Sequence, residues 1–156
     1  MKIKSSIFDE IEFDEKDIIV LDNGLIGIET LSRFILMDFA DESAFHWLQS
    51  VDDPDMGFIV SEPTIFDGEY TFAIDPGLKE ILSIEKDDDV VVMSIVTIRD
   101  HGNTITGNLL GPVVINASKR IGIQIVLDSD DYSSVTPLRK IEEEKTENES
   151  KVGCMA

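Results

Sequence analysis

A chain of 156 residues is long enough for one domain with a sizeable core. Its hydrophobic (42%) and charged (29%) fractions are ordinary for a globular protein, but its formal charge of −19 is not. Such a field repels phosphate backbones and anionic headgroups, which argues against direct nucleic-acid or membrane binding and favours basic proteins or cations.

The charge sits in the body. From Arg139 onward the chain has four basic and five acidic residues, so residues 1–138 hold −18. Cys154 is the single cysteine, which excludes a disulfide within the chain. No apolar leader follows Met1, and no run approaches the roughly eighteen apolar residues of a membrane span. The expectation is a cytoplasmic protein, and a monomer, given strong self-repulsion and no heptads.

In chain order, Ile3 to Phe8 and Glu10 to Phe13 alternate apolar and polar residues and are expected as short strands. Asp17 to Leu21 is a third, closed by Asp22-Asn23-Gly24, where Asn-Gly tolerates φ > 0. Gly24 to Glu29 reads as an irregular loop. Strands follow at Arg33–Asp38, Phe45–Ser50 and Gly57–Ser61, with acidic turns between them. Glu62-Pro63 ends the last, and Tyr70 to Ile74 reads as another. Asp75 to Leu82 is the clearest helix: Asp75 caps, Pro76 takes the first position, and Leu78, Ile81 and Leu82 share a face.

Val90 to Ile98 is β-branched and almost without polar residues, the composition of a strand covered on both faces. Asp100-His101-Gly102-Asn103 turns the chain back into Thr104-Ile105-Thr106. Pro112 has no N–H and cannot sit mid-ladder, so Leu110 to Pro112 reads as a bend, with Val113 to Ile115 resuming as strand. Asn108 and Asn116 bracket it and can bond backbone groups the bend leaves unpaired. Gly122 to Leu127 is the last strand, and Asp128 to Ser134 an acidic loop. The tail from Lys140 is too polar to offset ordering and is expected to be disordered, giving one domain at 1–139 and a tail at 140–156. The fold class is mostly β: a small antiparallel β-barrel-like domain with one or two short helices.

No catalytic constellation emerges. His46, beside Trp47, reads as a packing residue and His101 as a solvated turn residue. There is no nucleophile elbow, phosphate loop or Cys/His metal spacing. Asp128-Ser129-Asp130-Asp131 opens like a calcium loop, but Ser133 and Arg139 stand where Gly and Glu are needed. An acidic surface without convergent polar groups favours a protein-binding module, with no cofactor, over an enzyme. A small enzyme in a barrel mouth is the remote alternative.

Few contact residues are nominated. Tyr132 with Asp128, Asp130 and Asp131 places one aromatic on an acidic loop, a hot-spot arrangement; the competing reading has Tyr132 capping the core. Asn108, Pro112 and Asn116 are candidates whose competing role is to shape the bend. Trp47 reads as core. Leu48 and Gln49 alternate with it, which leaves one of the pair to face outward.

Taken in order, these pieces resemble the FliW family of bacterial flagellar assembly factors. Gly24-Leu25 with Gly27 and Glu29 is similar to its G-L-x-G-x-E loop, followed by Phe34 and Leu36. Trp47-Leu48-Gln49-Ser50 with Asp53-Pro54 is similar to its W-L-Q-S segment. Phe58, Val60, Pro63 and Tyr70 follow. Asn108-Leu109-Leu110 with Pro112, Ile115 and Asn116 resembles its N-L-x-x-P-x-x-x-N block, and Gln124, Tyr132 and Pro137-Leu138 complete the set. No single piece is specific; the ordered set is. The family's aromatic-Pro before the first loop, and its Pro and Phe within it, are replaced by Leu21-Asp22, Ile26 and Ile28, which keeps the core and loosens the loop. The resemblance implies a small antiparallel β-barrel-like fold and a cytoplasmic partner switch. Such a protein binds flagellin and, when flagellin is exported, the RNA-binding translational repressor CsrA, which then no longer represses flagellin synthesis. A flagellin chaperone without CsrA binding is the nearer alternative.

Overall fold

The structure, a computed structural model, describes residues 2–4, 10–21, 24–38 and 44–138. Part of the first expected strand (5–8), the turn residues Asp22, Asn23, Asp41 and Glu42, and the tail fall outside the described residues. The strands are β1 (Lys2–Ile3), β2 (Ile11–Glu12), β3 (Ile19–Leu21), β4 (Arg33–Asp38), β5 (Phe45–Ser50), β6 (Gly57–Ser61), β7 (Val90–Arg99), β8 (Thr104–Gly107), β9 (Val113–Asn116), β10 (Ile121–Gln124) and β11 (Thr136–Pro137). The helix α1 (Pro76–Ile81) starts as expected: Asp75 accepts from the Leu78 N–H at 2.8 Å and Pro76 occupies the first turn.

Seven strands close into a barrel. β3 to β7 pair in succession, each with the next and antiparallel. β7 pairs with β9 and β9 with β10, again antiparallel, and β10 returns to β3 in parallel. That parallel pair departs from the otherwise antiparallel pattern. β7 serves three partners: Val90–Met93 pairs with β9, Ser94–Val96 with β6, and Val96–Arg99 with β8. Among the described residues, closure leaves no free sheet edge around the ring.

The interior is filled by Ile19, Leu21, Phe34, Leu48, Val60, Met93, Val113 and Ile115, one or two from each barrel strand except β10, with Leu25 from a loop. The outer faces are covered too. The β1–β2 ribbon lays Ile3, Ile11 and Phe13 over Ile35 of β4. Leu78 and Leu82 of the helical segment cover Val114 and the β9–β10 face. Phe66, Leu109, Tyr70 and Tyr132 cover Val96 on β7. Two-sided cover is why β7 reads as an unbroken apolar run. The cover stops at Val96; Thr97, Ile98 and Arg99 are exposed on the hairpin with β8, a limit the composition does not show.

Other stretches also differ from expectation. β3 begins at Ile19, because Glu15–Asp17 form a single 3-10 turn in which the Asp17 carboxylate accepts from the Asp14 N–H at 3.0 Å. β10 ends at Gln124; beyond it, the Ile125 and Leu127 N–H groups donate to Pro112 and Leu110 carbonyls across the bend. Tyr70 to Ile74 is not a strand. There the Tyr132 hydroxyl accepts from the Thr71 N–H and donates to its carbonyl, both at 3.0 Å, so a side chain satisfies backbone groups that a strand neighbour would otherwise bond.

Candidate partner-binding surface

Four of the nominated contact residues are inside the protein. Leu48 and Gln49 are 2% and 0% exposed, which corrects the expectation that one of them faces outward. Leu48 fills the barrel, while Gln49 builds the β5–β6 turn. Its side-chain amide nitrogen lies 3.0–3.1 Å from the carbonyls of Ser50, Pro54 and Met56, and its oxygen accepts from the Trp47 indole at 2.9 Å. Asn116 is also 0% exposed. It donates to the carbonyls of Leu82 (2.8 Å) and Ser83 (3.2 Å) at the end of α1, and accepts from the Ser118 and Lys119 N–H groups. Pro112 is buried in the bend.

The remaining candidates converge. Asn108 shapes the bend as its competing reading had it: the side-chain oxygen accepts from the N–H groups of Leu110 (3.1 Å) and Gly111 (2.8 Å). Tyr132 is half-buried, pinned to Thr71 and packed against Tyr70 with ring centres 4.5 Å apart and planes tilted by 59°. The Tyr70 phenol donates to the Leu109 carbonyl at 2.7 Å; burial, then the neighbouring Tyr132, push its pKa above the ordinary range. The Leu109 N–H donates to Ser133. These ties clamp the acidic loop by its return limb and leave Asp128, Asp130 and Asp131 exposed.

Beside this loop lies an apolar groove of about 360 Å³. One wall is the 24–28 loop, with Leu25, Ile26 and Ile28; Phe58 and Ile95 also line the groove. The other wall is the bend at Asn108, Leu110 and Gly111, followed by Gln124, Val126 and Ser134. Gln124 joins the walls: its nitrogen donates to the Gly111 carbonyl and its oxygen accepts from the Ile26 N–H, both at 2.8 Å. The 24–28 wall is also built locally. Gly24 has φ +64 and meets the Leu31 carbonyl and Glu29 backbone so closely that a Cβ has no room. The Glu29 carboxylate accepts from the Gly27 N–H at 3.0 Å; that bond, then one from its own N–H, hold its pKa below the ordinary range.

Ile26 and Val126 are 54% and 63% exposed on this groove. Sequence reasoning passed over both, and over Gln124 as a joint, since each is one unremarkable residue in its own segment. Among the described residues that line the groove none is positively charged. No group of three or more His, Cys, Asp or Glu among the described residues is placed to hold a metal. No described helix is long and apolar enough to cross a membrane.

Comparison with known proteins gives one family. The FliW protein family model matches residues 2–138. The flagellar assembly factor FliW of Caldanaerobacter subterraneus subsp. tengcongensis is 37% identical over 139 residues, spanning 88% of this chain and 93% of that one. Its counterpart in Magnetococcus marinus is 38% identical, spanning 88% and 85%. A crystal structure of the flagellar assembly factor FliW superposes with a TM-score of 0.81 at 34% identity, covering 88% of this chain and 96% of that chain. On these matches the chain belongs to the FliW family of flagellar assembly factors.

Proposed function

We propose that this protein works as a partner switch in the cytoplasm. It binds flagellin while flagellin is retained in the cell. When flagellin is exported it binds the RNA-binding repressor CsrA and relieves repression of flagellin synthesis. Family membership supports the setting, and the observation that carries the reading is the charge of −18 on residues 1–138. A repressor that grips RNA must present basic residues to phosphates, so an anionic domain steers towards it and repels its RNA. The antagonism is then electrostatic repulsion with steric exclusion beside the RNA site, not turnover of a substrate. The domain acts as a monomer and touches neither nucleic acid nor membrane.

The test is a three-component competition. CsrA is bound to a labelled flagellin-leader RNA, and the domain is titrated in. Release of RNA, reversed by added flagellin, is the expected result. Flagellin binding without any effect on CsrA leaves a flagellin chaperone only. Indifference to both proteins overturns the reading.

A further inference from the structure

We infer that the groove between the 24–28 loop and the 108–111 bend receives an apolar side chain from a basic segment of a protein partner, whose Lys and Arg side chains meet the 128–131 loop. This rests on the partner-switch reading and names the surface and the chemistry that reading leaves open. Ile26 and Val126 line the groove and are more than half exposed, so apolar area lies in water that a partner side chain would cover. The acidic loop leaves the chain just after Val126 and returns at Ser134, and both residues line the groove. Asp128, Asp130 and Asp131 are exposed and lie in sequence between these two lining residues, which puts negative charge next to the groove, and no described lining residue is positive.

An apolar centre with a charged rim is the anatomy of a protein interface, and the sign of this charge selects a cation. A phosphate backbone or an acidic segment meets the wrong charge. Gln124 already ties the two walls together, so little ordering entropy is lost on binding. Of the two partners, the RNA-binding one must be rich in Lys and Arg, and it is the occupant.

The experiment measures CsrA and flagellin binding to the full chain by calorimetry, for the wild type, Ile26→Asp, Val126→Asp and the triple change of Asp128, Asp130 and Asp131 to Asn. All three variants change exposed positions, so melting temperatures should match the wild type. The expected result is that either groove variant weakens CsrA by about tenfold or more, with flagellin unaffected. The triple variant should weaken CsrA and lose most of its salt dependence. Groove variants that bind CsrA like the wild type overturn the inference while the switch reading stands. Loss of flagellin with CsrA retained overturns the choice of occupant. A wild-type chain that binds neither protein overturns both.

Discussion

Asn116 shows how a polar side chain can be wholly enclosed without an unsatisfied group. Its amide donates to two carbonyls at the end of α1 and its oxygen accepts from two N–H groups in the following turn. Asn116→Ala leaves all four without these bonds and opens a void, a cost of about 3 kcal/mol. The urea midpoint should fall with the slope unchanged. Asp52 makes a pH-dependent contribution. Partial desolvation raises its pKa, but the N–H groups of Arg33 and Ser32 and the Arg33 guanidinium, at 2.8–3.1 Å, outweigh it and lower the pKa overall. A depressed folded pKa stabilises above the unfolded value, near about 4, and the benefit is lost as pH falls through the folded one. Asp52→Asn should therefore cost about 1 kcal/mol at neutral pH, and the gap from wild type should close as pH falls through the depressed folded-state pKa. Stability curves of both proteins against pH check it. The role of Asn108 was legible, since Asn before a proline bend has few other uses. That of Gln49 was not, because alternation along β5 does not say which polar groups a turn will enclose.

At the scale of elements, legibility followed local chemistry. α1 was readable from Asp75-Pro76, and β4, β5 and β6 from their bounded apolar runs. The stretch from Tyr70 to Ile74 was misread because an outer cover and a strand share a composition; only the distant Tyr132 hydroxyl separates them. The β5–β6 hairpin has its own hidden joint. Gly57 sits directly beneath the Trp47 indole, where a Cβ would overlap the ring. Gly57→Ala must displace the indole and break its 2.9 Å bond to Gln49, at a cost of about 2 kcal/mol. Trp47 is the single tryptophan, so its emission should shift to the red in the variant before any denaturant is added.

At the scale of the molecule, the mostly β class was legible, but closure was not. No periodicity says that β7 divides its length between β9 and β8, or that β10 meets β3 in parallel. The groove was invisible for the same reason, since its lining comes from segments around residues 25, 58, 95, 110 and 125. Net charge, by contrast, needs no fold to be read, and it makes the last prediction. A field from −18 acts over roughly a Debye length, about 10 Å at 0.1 M salt, so it speeds encounter with a basic partner more than it strengthens the docked state. Raising ionic strength from about 0.02 M to 0.2 M should slow CsrA association by about tenfold, with the dissociation rate nearly constant. Flagellin, if its contact is not basic, should show a weaker dependence. Stopped-flow traces across a salt series separate the two rates. An association rate that stays flat would mean that the surplus of carboxylates serves solubility and that docking is governed by shape and apolar contact alone.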